Sequence, residues 1–219
     1  MALDDEFARE RERMVSEQIE ARGVRDPRVL AVLRVVPRHR FVDAALLERA
    51  YDDTPLPIGE RQTISQPYMV AHMTEALGVT PGERILEVGT GSGYQAAVLA
   101  ELGAEVVTLE RIPVLARRAA ERLAVLGYGG RVRVLEADGT LGWAEAAPYD
   151  AVLVTAGGPC LPRPLLEQLA PGGRLVLPMG EEELQTLVRI RRGPHGLAEE
   201  YLGECRFVKL LGSYGWEEP

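Results

Sequence analysis

Glu87, Gly89, Gly91, Gly93, Glu110 and Asp138 are the residues of this chain whose types and spacing can do chemistry together. The run from Arg84 to Tyr94 reads RILEVGTGSGY, an apolar stretch followed by glycines at alternate positions and then the opening of a helix. A strand buried in a parallel sheet has the apolar, β-branched character of Ile85 to Val88. Glycine lets the backbone approach a ligand closely, and the free N–H groups at a helix start point toward it. The spacing is G-x-G-x-G, not the G-x-G-x-x-G of dinucleotide enzymes. Glu87, two residues before the first glycine, would repel a diphosphate and attract a cation such as the amino group of S-adenosylmethionine. Taken alone, the loop also reads as an ordinary tight turn between a strand and a helix.

Its neighbours decide between those readings. Glu110 lies 21 residues after Gly89, at the end of the next strand, where a carboxylate accepts hydrogen bonds from two ribose hydroxyls in α/β nucleotide sites. Asp138-Gly139 ends the third strand, where an acid can accept from an adenine amine. Three carboxylates at three successive strand ends suit a ligand with a cationic amino-acid tail, a ribose and an adenine. That ligand is S-adenosyl-L-methionine, with S-adenosyl-L-homocysteine as product. Thr90 and Ser92 between the glycines, Arg111 beside Glu110 and Thr155 after the fourth strand complete the candidate cofactor set.

The acceptor chemistry has to come from elsewhere. The Asn/Asp-Pro-Pro-aromatic run of base-methylating enzymes is absent, since the fourth strand ends in Val154-Thr155-Ala156-Gly157-Gly158. The stretch Gln62-Thr63-Ile64-Ser65-Gln66-Pro67 is the alternative. Ser65 at a helix N-terminus offers a hydroxyl beside free backbone N–H groups, a suitable receptor for a carboxylate. It also reads as a plain N-cap, and the two roles are compatible.

These residues need elements to hold them. Asp4 to Ala21 carries Phe7, Met14, Val15 and Ile19 near one helix face, and Gly23 stands where a helix stop belongs. Asp26-Pro27 opens a second helix that stops before Pro37, and Phe41 to Ala50 predicts a short third. Tyr51 to Gln62, with Pro55, Pro57 and Gly59, reads as an ordered loop, followed by a helix from Tyr68 to Leu77 with Ser65 as its cap. Strands at Glu105–Leu109, Arg131–Leu135, Asp150–Val154 and Arg174–Pro178 then alternate with helices, including one from Pro162 to Leu169. That alternation predicts a doubly wound, mostly parallel Rossmann-like sheet. Glu183–Arg191 and Glu200–Leu211 read as an antiparallel edge. We expect one catalytic domain over 1–219, with a helical cap and loop (1–62), a cofactor-binding core (63–180) and a β extension (181–219).

Composition excludes other classes. A net charge of −8 argues against a surface that coats nucleic acid. The arginine clusters at Arg9–Arg13 and Arg189–Arg192 read as solvated faces. Two distant cysteines, Cys160 and Cys205, and three scattered histidines, His39, His72 and His195, give neither a disulfide framework nor a metal spacing. No apolar run is long enough for a membrane span or a signal peptide, so the expected compartment is the cytoplasm. Lys209 is the only lysine, and asparagine is absent.

The chain resembles the protein-L-isoaspartate O-methyltransferase family over nearly its whole length. The resemblance is carried by MVSEQIEARGVRDPRVL (Met14 to Leu30), VPRHRFV (Val36 to Val42), AYDDTPLPIG (Ala50 to Gly59), QTISQPYMVA (Gln62 to Ala71), LEVGTGSGYQAAVLA (Leu86 to Ala100), YDAVLVTA (Tyr149 to Ala156), LAPGGRLVLPMG (Leu169 to Gly180) and RFVKLLG (Arg206 to Gly212). QTISQP is the specific part, whereas the glycine loop is shared by many methyltransferases. The resemblance implies Ser65 as the active-site serine, Gln62 to Ser65 as a cofactor wall, and Glu87, Gly89, Glu110, Asp138 and Gly139 as cofactor contacts. It implies Thr155 and Ala156 beside an isoaspartyl substrate, and a methyl ester that collapses to a succinimide. Lys209 stands where that family's pattern has proline. The implied partners are isoaspartyl proteins and peptides, with no nucleic acid, no membrane and no metal, and the chain is expected to act as a monomer.

Overall fold

A computed structural model describes residues 2–217. Helix α1 (Ala2–Arg13) continues into a π-helical stretch at Met14–Ile19 and a 3₁₀ turn at Glu20–Arg22. The wider turn brings residues five apart onto one face, so Met14, Val15 and Ile19 are all buried. Gly23 ends the helix in the left-handed region with φ 103°. The Asp26 carboxylate accepts from Arg28 N and caps α2 (Pro27–Val35). The expected third helix is instead two 3₁₀ turns, Arg38–Phe41 and Ala44–Arg49.

The stretch read as a loop contains a small hairpin. Strand β1 (Leu56–Gly59) pairs antiparallel with β2 (Gln62–Ile64), with Leu56 opposite Ile64. Its turn places Glu60 and Arg61 at φ 51° and 57°, where glycine or asparagine is the usual signal. The turn holds because Leu56 and Ile64 are both buried in the core. Helix α3 (Pro67–Leu77) follows and ends at Gly78.

The core then alternates as expected: β3 (Arg84–Val88), α4 (Tyr94–Glu101), β4 (Glu105–Glu110), α5 (Pro113–Val125), β5 (Val132–Glu136), β6 (Tyr149–Val154), α6 (Arg163–Glu167) and β7 (Leu169–Gly180). Strands β8 (Gln185–Gly193) and β9 (Gly196–Cys205) complete a seven-stranded sheet in the order β5-β4-β3-β6-β7-β8-β9. The first five in that order run parallel, and β8 and β9 are antiparallel additions. Side chains alternate between two apolar layers. Ile85, Val106, Ala151 and Leu153 pack with the cap, α3 and α4, while Leu86, Val88, Val107, Leu109, Val152 and Val154 pack with α6 and the C-terminal tail.

Two further elements depart from expectation. The helix after β6 is only five residues long, because β7 already begins at Leu169. The last strand ends at Cys205 rather than Leu211. Residues 206–217 instead turn back across the carboxyl ends of the parallel strands. Leu210 N and Trp216 Nε1 both donate to Gly157 O, at 2.8 and 3.1 Å. Ser213 N donates to Asp138 Oδ2 at 2.8 Å.

Candidate active site

The glycine turn sits where strand order reverses between β3 and β6, the place at which open α/β sheets bind ligands. Gly89, Gly91 and Gly93 all have positive φ, at 96°, 53° and 89°. Gly89 is required twice over, since an added Cβ would stand 2.5 Å from Thr155 Oγ1. That hydroxyl donates to Gly89 O at 2.7 Å and locks β6 to the turn. Gly91 has open space on its free side, where a methyl group would meet only Ile58 Cδ1, at 3.4 Å. Gly93 caps α4 and packs on Leu123, away from the cleft.

Carboxylates brace this turn differently from the sequence expectation. Glu110 accepts from Gly91 N at 2.8 Å and from Ile112 N at 3.0 Å, so it ties the loop to the end of β4. Each of its oxygens keeps a further acceptor position for a ligand hydroxyl. Glu87 does not line the cleft. It lies fully buried under the turn, and both its oxygens lack a hydrogen-bond partner among the described residues. Burial pushes its carboxyl up to about 8, the Thr108 hydroxyl opposes that in part, and Glu110 adds to it. Asp138 is also outside the cleft. It accepts from Thr140 N and Oγ1 at 2.9 and 2.7 Å, and from Ser213 N, so it pins the tail. Burial alone would raise its carboxyl, but the hydrogen bonds from Ser213 and Thr140 hold it below the usual range. Gly139 does face the cleft, and a side chain there would overlap Val88.

Ser65 is not the cap of α3. Gln66 occupies that position without a side-chain bond, and Asp53 Oδ1 takes Tyr68 N at 2.9 Å from outside the helix. The Ser65 hydroxyl therefore makes no hydrogen bond to another described residue. Of the expected set, Gln62, Thr63, Ile64, Ser65, Gly89, Thr90, Gly91, Ser92, Glu110, Arg111, Gly139 and Thr155 line one cleft. Glu87, Gly93 and Asp138 support it from behind.

A second cavity adjoins the first. Thr63, Ser65, Thr155 and Val208 border both, and the second extends between Arg22, Tyr68, Met69, Arg206 and Phe207. Arg22 lies 3.6 Å from the Tyr68 ring centroid and is paired with Asp53. Sequence reasoning missed Gln95 and Val70 in the first cleft, and in the second cavity it named Thr63, Ser65 and Thr155 but not Arg22, Tyr68, Met69, Arg206 or Phe207. The RFVKLLG run held the missing signal, because residues 206–211 form the shared rim. Lys209 lines the first cleft, pairs with Glu182 and bridges Gly157 through its backbone. Among the described residues, no histidine lines either cavity. His39 bonds the Tyr51 hydroxyl, His72 donates to Leu202 O, and His195 sits in the β8–β9 turn. No cluster of potential metal ligands occurs among the described residues.

A reversed-order parallel sheet with an acid-braced G-x-G-x-G turn at its switch point defines the class of Rossmann-like methyltransferases. The comparisons narrow that class. The family model described as Protein-L-isoaspartate(D-aspartate) O-methyltransferase matches residues 9–215. The chain belongs to this family. A Syntrophobacter fumaroxidans relative, protein-L-isoaspartate O-methyltransferase 1, is 57% identical across 96% of this chain and 98% of its own. A solved protein-L-isoaspartate O-methyltransferase superposes with a TM-score of 0.84 at 30% identity, covering 94% of this chain and 67% of the other. A Plasmodium falciparum beta-aspartate methyltransferase, solved with S-adenosyl-L-homocysteine, gives 0.80 at 26% identity over 92% and 98% of the two chains. The protein is therefore an S-adenosylmethionine-dependent protein repair methyltransferase.

Proposed function

We propose that the first cleft holds S-adenosylmethionine and the second holds the isoaspartyl residue, with transfer across their shared border at Thr63, Ser65, Thr155 and Val208. That shared border is the observation that carries the reading. S-adenosylmethionine supplies a methyl group on a sulfonium, a reactive electrophile with a neutral leaving group. Gln62 to Ser65 wall it, the turn 89–93 takes its amino-acid tail, and Glu110 with Arg111 receives the ribose. Gly139 leaves space for the adenine. Glu87 and Asp138 act from behind, the first by supporting the turn from beneath and the second by holding residues 212–214 in place.

The isoaspartyl α-carboxylate is already ionised at neutral pH. Ser65, uncommitted to the helix, donates to one carboxylate oxygen and leaves the other to attack. Orientation and exclusion of water carry the rate, since charge is neutralised as the bond forms. No proton needs to be removed, and the absence of histidine from both cavity walls among the described residues fits that. The ester then leaves and closes to a succinimide. Residues 1–219 work as one catalytic unit, with 1–62 and 181–219 building the acceptor side around 63–180. The chain acts as a cytoplasmic monomer on damaged proteins and peptides, without nucleic-acid or membrane partners; no described helix is long and apolar enough to cross a membrane.

Methyl incorporation into an isoaspartyl peptide and its aspartyl twin tests this. Transfer to the isoaspartyl peptide alone is expected. Equal transfer to both would overturn the substrate assignment.

A further inference from the structure

The glycine turn has a second face. Behind Gly91 and Ser92, away from the cofactor cleft, lies a separate polar pocket between the N-terminal cap and α5. Its floor is Phe41 and Leu115, and its charged wall is Arg118 and Arg122. These arginines are four apart on α5, so their side chains share one helix face. Arg122 Nη1 donates to Ser92 O at 2.7 Å, and its guanidinium lies 5.9 Å from the Phe41 ring centroid. Arg118 reaches over Gly59 from the exposed side.

Neither guanidinium forms an ion pair with a described residue. Acidic residues outnumber basic ones in this chain, 33 to 25, yet no described one is paired with these two. Arg174 pairs with Glu83 at 2.6 Å and Arg189 with Glu200, while the unpaired Arg38 and Arg192 donate to carbonyls of their own surroundings, Ala50 O and Leu169 O. The one acid among the described residues lining this pocket, Asp43, accepts from Ala45 N at 3.0 Å through one carboxylate oxygen. Burial and the like charge of Arg118 both push Arg122 below its ordinary value. With two guanidinium groups against one carboxylate, the pocket holds a net positive charge. Gly91 N is already taken by Glu110, so the guanidinium groups are the donors on offer.

We propose that Arg118 and Arg122, facing one pocket across the outer side of the Gly91–Ser92 turn, bind a small tetrahedral oxyanion of the phosphate class. Planar guanidinium forks match the spacing of such oxygens and lose less solvation than an ammonium on binding. A bound anion removes the repulsion within α5 and cross-links α5 to the turn. The site does not depend on the cofactor reading, because the backbone of the turn separates the two spaces.

The test is calorimetric titration of the intact cofactor-free protein with inorganic phosphate, at constant ionic strength set by sodium chloride. One saturable site is expected. Arg118→Gln should weaken it by about 10- to 100-fold, the usual cost of one charged hydrogen-bonding partner. Arg118 is exposed, so this variant keeps its fold, and circular dichroism checks that. Arg122→Lys, which retains charge but not the fork, should weaken binding while leaving the thermal transition near that of wild type. Saturating S-adenosylhomocysteine should leave phosphate binding in place. Absence of saturable heat in the wild type, or binding unchanged in Arg118→Gln, would overturn the proposal. Displacement of phosphate by S-adenosylhomocysteine would do the same, by assigning the anion to the cofactor cleft. A protein that failed to bind S-adenosylhomocysteine at all would undermine the cofactor reading, yet the phosphate titration would still report on this pocket.

Discussion

The cofactor side of the active site and its acceptor side are built on different principles. The cofactor side is centred on one continuous stretch, residues 84–93, braced by the ends of the next strands through Leu109 O, Glu110 and Thr155, with Gln62 to Ser65 and the tail closing over it. The acceptor side is assembled from the end of the first helical run at Arg22, the hairpin exit at Thr63 to Ser65, the start of α3 and residues 204–208 of the tail. These pieces come from distant parts of the chain and meet only through long-range contacts. The cofactor side is thus a rigid local motif, whereas the acceptor side is as stable as the long-range contacts that hold the cap and tail. Changes to the first should abolish cofactor binding. Changes to the second should spare it and act on turnover.

The largest effect is expected from Gly89→Ala. The added methyl would meet Thr155 Oγ1 and would require an L side chain at φ 96°. Cofactor affinity should fall by more than about 100-fold, the scale on which small displacements of a positioned site act. Gly91→Val sharpens the point, because the free protein has room there. It should fold, with a lower thermal midpoint from its left-handed backbone, and lose S-adenosylmethionine binding in calorimetry. Undiminished binding would remove the cofactor from the face of the turn.

Ser65→Ala probes the other side. Loss of one donor to the carboxylate should cost about 10- to 1000-fold in kcat, by analogy with an oxyanion donor. S-adenosylhomocysteine affinity and the thermal midpoint should stay near wild type, since Ser65 caps nothing. A loss of cofactor affinity equal to the loss of rate would erase the distinction between the two sides.

Glu87 gives a smaller, pH-dependent effect confined to the cofactor side. Its carboxyl titrates near 8 in the folded protein, against an ordinary value of 4.5. Between those two pH values the folded chain holds a proton that the unfolded chain has lost, so stability falls as pH rises. The cost is absent below the lower value and complete above the upper one. Thermal midpoints of wild type and Glu87→Gln should diverge progressively from about pH 5 to 8, with the variant ahead at the alkaline end. Parallel curves would mean that Glu87 is not titrating in that window.

The smallest effect should be pH dependence on the acceptor side. With cofactor saturating, kcat/KM for an isoaspartyl peptide should vary by less than about threefold from about pH 6 to 8.5, because the attacking carboxylate ionises near 3.5 to 4. The rate is read by formation of S-adenosylhomocysteine, since the ester itself is lost in alkali. A steep rise near about pH 6.5 that disappears in His72→Gln or His39→Gln would place a general base in the reaction.

The sequence by itself determined the alternating core, its mostly parallel character, the glycine turn and the helix boundaries at Gly23, Asp26 and Gly78. Those features rest on short-range physics: apolar periodicity, capping and the left-handed backbone that glycine permits. It also brought most of the first cleft into one set, because strand ends in a parallel sheet fall on one edge whatever the rest of the chain does. Only the tertiary structure decided what the polar side chains do there. Asp138 and Ser65 stand at the strand end and helix start where local patterning puts them, yet Asp138 turns to the tail and Asp53 displaces Ser65 as the partner of α3. Each choice depends on a group more than ten residues away, and for Asp138 more than seventy. The hairpin at Leu56–Ile64 was hidden for the same reason. Its turn residues carry no local signal, and it is held by the burial of two side chains in a core that local sequence does not specify.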